Sequence, residues 1–136
     1  MNRILLIDDD DDDQFFFKEA LESINPLLDC ETATNGKIAL DKLKEGTSLP
    51  DIIFLDLNMP VMNGFDFLIQ FKKEPALRKI PVGIFSTSNN FRDKEVTKES
   101  GAKFFLTKPN DFQTLRKKLK QVLSADFSTD QYLSIP

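Results

Sequence analysis

The chain has 136 residues, a length that fits one domain hiding about two thirds of the surface its unfolded form exposes, with no room expected for a second folded output domain. With 40% hydrophobic and 29% charged residues, it falls among ordinary globular chains rather than disordered or membrane ones. The net charge of −4 speaks against nucleic acid as the main ligand, because phosphate backbones are bound chiefly through Lys and Arg.

Short apolar runs alternate with helical patterns along the chain. Residues 4–7 form the first apolar run. A helix then starts within the Asp run and carries Phe17, Ala20, Leu21 and Ile24 at helical spacing, until Asn25 and Pro26 stop it. A weaker strand over 29–34 ends at Asn35-Gly36, and the next helix carries Ala39, Leu40 and Leu43 before Gly46. Residues 52–55 are the most apolar run, too short for an isolated helix and bounded by Pro50 and Pro60. Phe65, Leu68 and Ile69 mark a third helix, 81–85 a fourth strand, and 91–100 a polar helix with a thin apolar face. Residues 103–107 give a fifth strand, and Phe112, Leu115, Leu119, Val122 and Leu123 line a final helix.

Strands alternating with helices imply right-handed crossovers and a parallel sheet covered on both faces, an α/β doubly wound architecture. Ligands in such folds bind beyond the carboxyl ends of the strands. Asp8 and Asp9 follow the first strand, Asp56 ends the third, Ser86 and Thr87 follow the fourth, and Lys108 follows the fifth. Three carboxylates, a hydroxyl and a lysine are thus expected on one rim.

Each residue also has a plain structural explanation. Acidic residues favour the positive end of a helix dipole, and for Asp10 to Asp13 a solvated helix start or an N-cap is the better reading. Asp56 alone reads as a turn residue, Ser86 alone as a hydroxyl serving the backbone, and Lys108 alone as a surface cation. Asp8 and Asp9 differ, because two carboxylates directly after a buried strand repel unless a cation or lysine is near. The whole set at successive strand ends is hard to obtain by chance. Cys30 is the one cysteine, so neither an internal disulfide nor a zinc cluster can form, and it reads as a small buried apolar residue. With no secretory leader pattern and no run near the ~20 apolar residues of a membrane span, a cytoplasmic location is expected.

Taken together, Ile4-Leu5-Leu6-Ile7-Asp8-Asp9, Phe54-Leu55-Asp56-Leu57-Asn58-Met59-Pro60 with Asn63-Gly64, Pro81 through Ser86-Thr87, and Gly101-Ala102 leading to Phe105-Leu106-Thr107-Lys108-Pro109 resemble the receiver domains of two-component response regulators. The resemblance runs from about residue 2 to 122, with the Asp-rich first loop and Ser86-Thr87-Ser88 similar to the single-domain regulators that partner bacterial phytochromes. It implies a flavodoxin-like (CheY-like) sheet of order 2-1-3-4-5, with a receiver domain over 1–125 and a tail over 126–136. It implies that Asp56 accepts a phosphoryl group. Asp9, Asp56 and the backbone carbonyl of Asn58 would bind Mg²⁺ directly and Asp8 through water, in keeping with a cation that takes oxygen ligands and retains waters. Lys108 would pair with a phosphoryl oxygen and, before phosphorylation, with Asp56, and a cis Lys108–Pro109 bond would aim it inward. Ser86 and Thr87 would stabilise the phosphoryl group, with serine standing where threonine is common in the family. Phe105, phenylalanine where tyrosine is more frequent, would turn inward and pass the signal to the face built by the fourth helix, fifth strand and fifth helix, with a plain core residue as the other reading of it.

The chain contains no histidine, so the donor must be another molecule, a sensor histidine kinase or phosphotransfer protein, and no downstream target is specified. Lacking an output domain, the protein is expected to act by docking or by relaying its phosphoryl group. An aspartyl-phosphate phosphatase is one competing reading, but Asn58 stands where such enzymes usually keep a second aspartate, so hydrolysis should be slow and a turnover enzyme is not expected. A phosphorylation-independent binding module is the other, and the intact set Asp8, Asp9, Asp56, Ser86 and Lys108 argues against it. Gly36-Lys37 lacks the remainder of a P-loop. Phe127, Tyr132, Leu133 and Ile135 make the tail too apolar to be purely solvated, so it should pack back on the domain or join a dimer, and a dimer dependent on phosphorylation is a further expectation.

Overall fold

The computed structural model describes residues 2–135. Five strands, β1 (Arg3–Ile7), β2 (Asp29–Ala33), β3 (Ile52–Leu55), β4 (Val82–Ser86) and β5 (Phe105–Thr107), form one sheet in the order β2-β1-β3-β4-β5, with every neighbouring pair parallel. Between and after them run α1 (Asp11–Ile24), α2 (Gly36–Glu45), α3 (Gly64–Lys72), α4 (Phe91–Glu99) and α5 (Phe112–Leu123), with a short 3₁₀ turn at Pro75–Leu77. Both the doubly wound α/β fold class and the strand order agree with the expectation.

Alternation along each strand builds two cores. Ile4, Leu6, Ile52, Phe54, Phe85, Phe104 and Leu106 pack with α1 and α5, whereas Leu5, Ile7, Ile53, Leu55, Ile84 and Phe105 pack with α2 and α3. The α1/α5 side is aromatic: Phe17 meets Phe54 edge to face at 4.9 Å, and Phe54 meets Phe104 at 5.4 Å, spacings that add attraction beyond area burial. Phe104 lies over Gly83, where an added Cβ would come within 1.9 Å of its ring, so the glycine makes room for the phenylalanine.

Helix starts follow capping chemistry. Asp10, Asn35, Asn63, Asn90 and Asp111 each accept a hydrogen bond from a first-turn amide, satisfying donors that have no partner within the helix. Three details differ from the sequence reading. In α3 the inward residues are Phe67, Leu68 and Phe71, while Ile69 is 51% exposed, because Gly64 sits hard against Asp56 and Leu57 and so sets which side of the helix faces the sheet. Ser86 closes β4 rather than following it, and β5 begins at Phe105 because the Lys103 carbonyl turns out to accept from Leu133 N–H at 2.8 Å. That bond ties down the tail. Phe127, Leu133 and Ile135 pack on the aromatic core, and Lys98 lies 4.8 Å over the Tyr132 ring, so the segment folds back beside edge strand β5.

The thin face expected of α4 is observed, with Thr97 its one buried residue. Cys30 is half-buried on β2 rather than fully enclosed, and burial pushes its thiol up to about 11, which keeps it protonated and unreactive. Among the described residues no helix is long and apolar enough to cross a membrane.

Candidate functional site

The parallel ladder carries the chain to one rim. Asp8 N–H donates to the Ala33 carbonyl, Asp56 N–H to Ile7 and Lys108 N–H to Ser86, at 2.9, 2.9 and 2.7 Å, so the backbones of these three residues are held by the strand ends. Register does the rest: Ile7 pairs with Leu55, which puts Asp8 and Asp56 side by side. Carboxylate oxygens of Asp8, Asp9 and Asp56 lie within 4.8 Å of one another.

Lys108 serves this cluster. Its Nζ is 2.8 Å from Asp8 Oδ2, 2.7 Å from Asp13 Oδ2 and 3.5 Å from Asp56 Oδ2, and 5.4 Å above the Phe85 ring. Burial alone would lower the lysine pKa, but the hydrogen bond to Asp13, the close contact with Asp8 and the charge of Asp56 raise it, so the ammonium is firmly charged. The carboxylates move the other way. Burial pushes Asp8 up to about 6 against the pull of Lys108 and the Asp10 amide. Burial likewise raises Asp56, opposed by Lys108, the Leu57 N–H at 2.8 Å and the Ser86 hydroxyl.

One cation is too few for this charge. Asp8 Oδ2 is fully enclosed and, although it forms an ion pair with Lys108 at 2.8 Å, it has no hydrogen-bond partner among the described residues. A buried carboxylate oxygen of that kind is costly. An all-oxygen set beside an unsatisfied oxygen matches what a hard divalent cation requires, so the acidic pocket of Asp8, Asp9 and Asp56 fits such an ion. Asn58, whose carbonyl is the remaining expected ligand, lies exposed two residues beyond Asp56.

The loop after Asp56 is shaped tightly. Met62 N–H bonds back to the Pro60 carbonyl at 2.8 Å around Val61, whose φ is 69°; this is a γ-turn in the left-handed region, rare for a β-branched residue. Gly64 allows the start of α3 to approach, since a Cβ there would come within 2.4 Å of the Asp56 carbonyl.

Most of the expected residues converge. Ser86 is buried beside Asp56, while Thr87 next to it is exposed. Phe105 is inside the core at 5% exposure, with Lys94 5.7 Å from its ring, so it already holds the inward position that the resemblance reserves for the phosphorylated form. The Lys108–Pro109 bond is trans, as no cis peptide occurs among the described residues. The trans isomer before proline is favoured by about 0.5–1 kcal/mol, and Lys108 reaches all three carboxylates from it.

Asp13 was missed. The sequence offers it as part of a solvated helix start, yet it makes the shortest contact to Lys108. Its place in the first turn of α1 is shared by Asp11 and Asp12, so the sequence carried no signal that singled it out. Gln14 was missed as well; its side-chain amide donates to the Asp8 carbonyl at 2.6 Å.

Known proteins resemble this chain in sequence and fold. Residues 4–120 match the family described as the response regulator receiver domain. Protein PilH of Pseudomonas aeruginosa is 34% identical over 125 residues, covering 91% of this chain and 99% of that protein. Among solved structures, the phosphorylated cyanobacterial phytochrome response regulator RcpA superposes with a TM-score of 0.81 at 29% identity, covering 89% of this chain and 90% of that one. The Mn²⁺-bound form of response regulator Rcp1 gives 0.76 at 30% identity, covering 91% of this chain and 93% of that one. With the strand order, the acidic pocket and the lysine in place, this chain belongs to the response regulator receiver domain family.

Proposed function

We propose that Asp56 accepts a phosphoryl group from the phosphohistidine of a sensor histidine kinase or phosphotransfer protein, and that the phosphorylated domain is the signalling state of a two-component relay. The observation that carries this reading is the buried Asp56 carboxylate at the end of β3, 3.5 Å from Lys108 and grouped with Asp8 and Asp9.

A carboxylate oxygen of Asp56 forms the new bond to phosphorus as the phosphorus–nitrogen bond of phosphohistidine breaks, and the departing imidazole keeps the electron pair and takes a proton from solvent. Asp8, Asp9, Asp56 and the Asn58 carbonyl would hold Mg²⁺, which when bound offsets charge on the transferred phosphoryl group. Lys108 supplies a second positive charge. The Ser86 hydroxyl donates to a phosphoryl oxygen, and Thr87 sits at the open side of the site. Phosphorylation adds about −1.5 to −2 charges and three acceptor oxygens; drawing Ser86 toward them loosens its contacts, and Phe105 repacks in place. The readout surface is the α4-β5-α5 face. Asn58 leaves no second aspartate to activate water, so the acyl phosphate is long-lived and the protein acts as a switch rather than a turnover enzyme, with the cytoplasm as its location.

Intact mass after incubation with acetyl phosphate tests the reading. One phosphoryl adduct is expected on the natural chain with Mg²⁺, and none without Mg²⁺ or on Asp56→Asn. No adduct on the natural chain under any condition would move the function to phosphorylation-independent binding.

A further inference from the structure

Three carboxylates compete for Lys108, and the one destined to carry the phosphoryl group holds it least. The ammonium has three protons to donate. Its short contacts are to Asp13 at 2.7 Å and Asp8 at 2.8 Å, while Asp56 stands at 3.5 Å. Asp13 makes a proper hydrogen bond with the lysine; Asp8 does not.

The local chemistry of α1 explains why Asp13 is available. A carboxylate at the third position of a helix commonly reaches back to the N–H of the N-cap residue. Here the N-cap is Asp10, and its N–H already donates to Asp8 Oδ1 at 3.0 Å. Asp13 keeps only its backbone role, donating its own N–H to Asp10 Oδ1. Its side chain is left to swing across the rim to Lys108, 95 residues away in sequence. Exposure then decides which bond yields: the Asp13 side chain is 35% exposed against 0% for Asp8, so Asp13 is the partner that water can replace at least cost.

We propose that Asp13 is a positioning residue that latches Lys108 away from Asp56 in the unphosphorylated domain and so sets the rate at which Asp56 is phosphorylated. The inference rests on Asp56 being the phosphoacceptor. When the phosphoryl group arrives, Lys108 exchanges Asp13 for a phosphoryl oxygen, and the Asp13 carboxylate turns to solvent. The latch is a cost that every phosphorylation event must meet.

Asp13→Asn keeps the shape and removes the charge. It is expected to raise the second-order rate of phosphorylation by acetyl phosphate about threefold to tenfold, the size of one partly screened charge pair. In a Lys108→Ala background the same substitution should change the rate little, because the latch has nothing to hold. The ¹⁵N resonance of the Lys108 ammonium, recorded without any phosphodonor, gives a second readout: it should shift on Asp13→Asn. An unchanged or slower rate in Asp13→Asn overturns the proposal, as does an equal acceleration in both backgrounds, which would make Asp13 a bare source of field. An ammonium signal indifferent to Asp13 overturns it too. If the natural chain takes no phosphoryl group, the phosphoacceptor reading fails by itself, and the ammonium resonance still decides whether the latch exists.

Discussion

The two ends of the sheet treat the same residue type in opposite ways. At the amino end, Asp51 is exposed and accepts hydrogen bonds from the N–H groups of Arg3 and Asn2, both at 2.9 Å, and these hold its carboxyl below the usual range. At the carboxyl end, Asp8 is fully buried and burial pushes it up to about 6. One aspartate is solvated and pinned to the backbone, where its charge helps the fold. The other is desolvated and short of partners, where its charge opposes the fold and waits for a cation. Stability is concentrated at one end of the strands and reactivity at the other, with the aromatic core between them.

The largest test of this contrast is to supply the missing charge. Saturating Mg²⁺ should stabilise the domain by about 2.7 kcal/mol at a free concentration 100 times the Kd, read as a rise in the denaturant midpoint. Asp9→Asn should remove most of that rise, and an equal rise in Asp9→Asn would place the ion elsewhere.

A smaller effect comes from removing the buried charge without adding an ion. Because Asp8 is raised from 3.8 to about 6 in the fold, its protonation favours the native state below the unfolded value, and that advantage is lost as pH rises through about 6. In the absence of Mg²⁺, Asp8→Asn should therefore stabilise the protein by roughly 2 kcal/mol at pH 7.5. The gain should shrink toward pH 4, followed by urea unfolding across that range. Loss of stability at pH 7.5 would show that the pair with Lys108 outweighs the burial.

The smallest effect has the opposite sign. Asp51 is depressed in the fold, so its contribution is present above the unfolded carboxyl value and is lost as pH falls through the folded one. Asp51→Asn should destabilise the protein by about 0.5 kcal/mol at neutral pH, discounted for solvent screening, and the deficit should vanish in acid. A deficit that persists in acid would make Asp51 a packing residue rather than a charged cap.

What was legible in the chain was whatever depends on local period and on order along the sequence. The apolar runs over 4–7 and 52–55, the breaks at Asn25-Pro26, Asn35-Gly36 and Gly46, and the inward stripe of α5 are local features, and they placed the strands and helices. Alternation of strands and helices then carried Asp8, Asp56, Ser86 and Lys108 to one rim, because a parallel sheet leaves all its strand ends on the same side. The facing of α3 was not legible: apolar residues at 65, 67, 68, 69 and 71 allow more than one inward face, and close packing at Gly64 selects among them. Nor did the sequence separate a Phe105 that turns inward from one that is core from the outset, since that depends on packing around β5. The partner of Lys108 was the least legible feature. Among six consecutive aspartates nothing local distinguishes Asp13 from Asp11 or Asp12; only the rotation of α1 above β1, fixed by Phe17, Ala20 and Leu21 entering the core, turns that one carboxylate toward a lysine 95 residues later. Local propensity and period can be read from neighbours in the chain, whereas the distance between two charges from opposite ends of it is decided by packing alone.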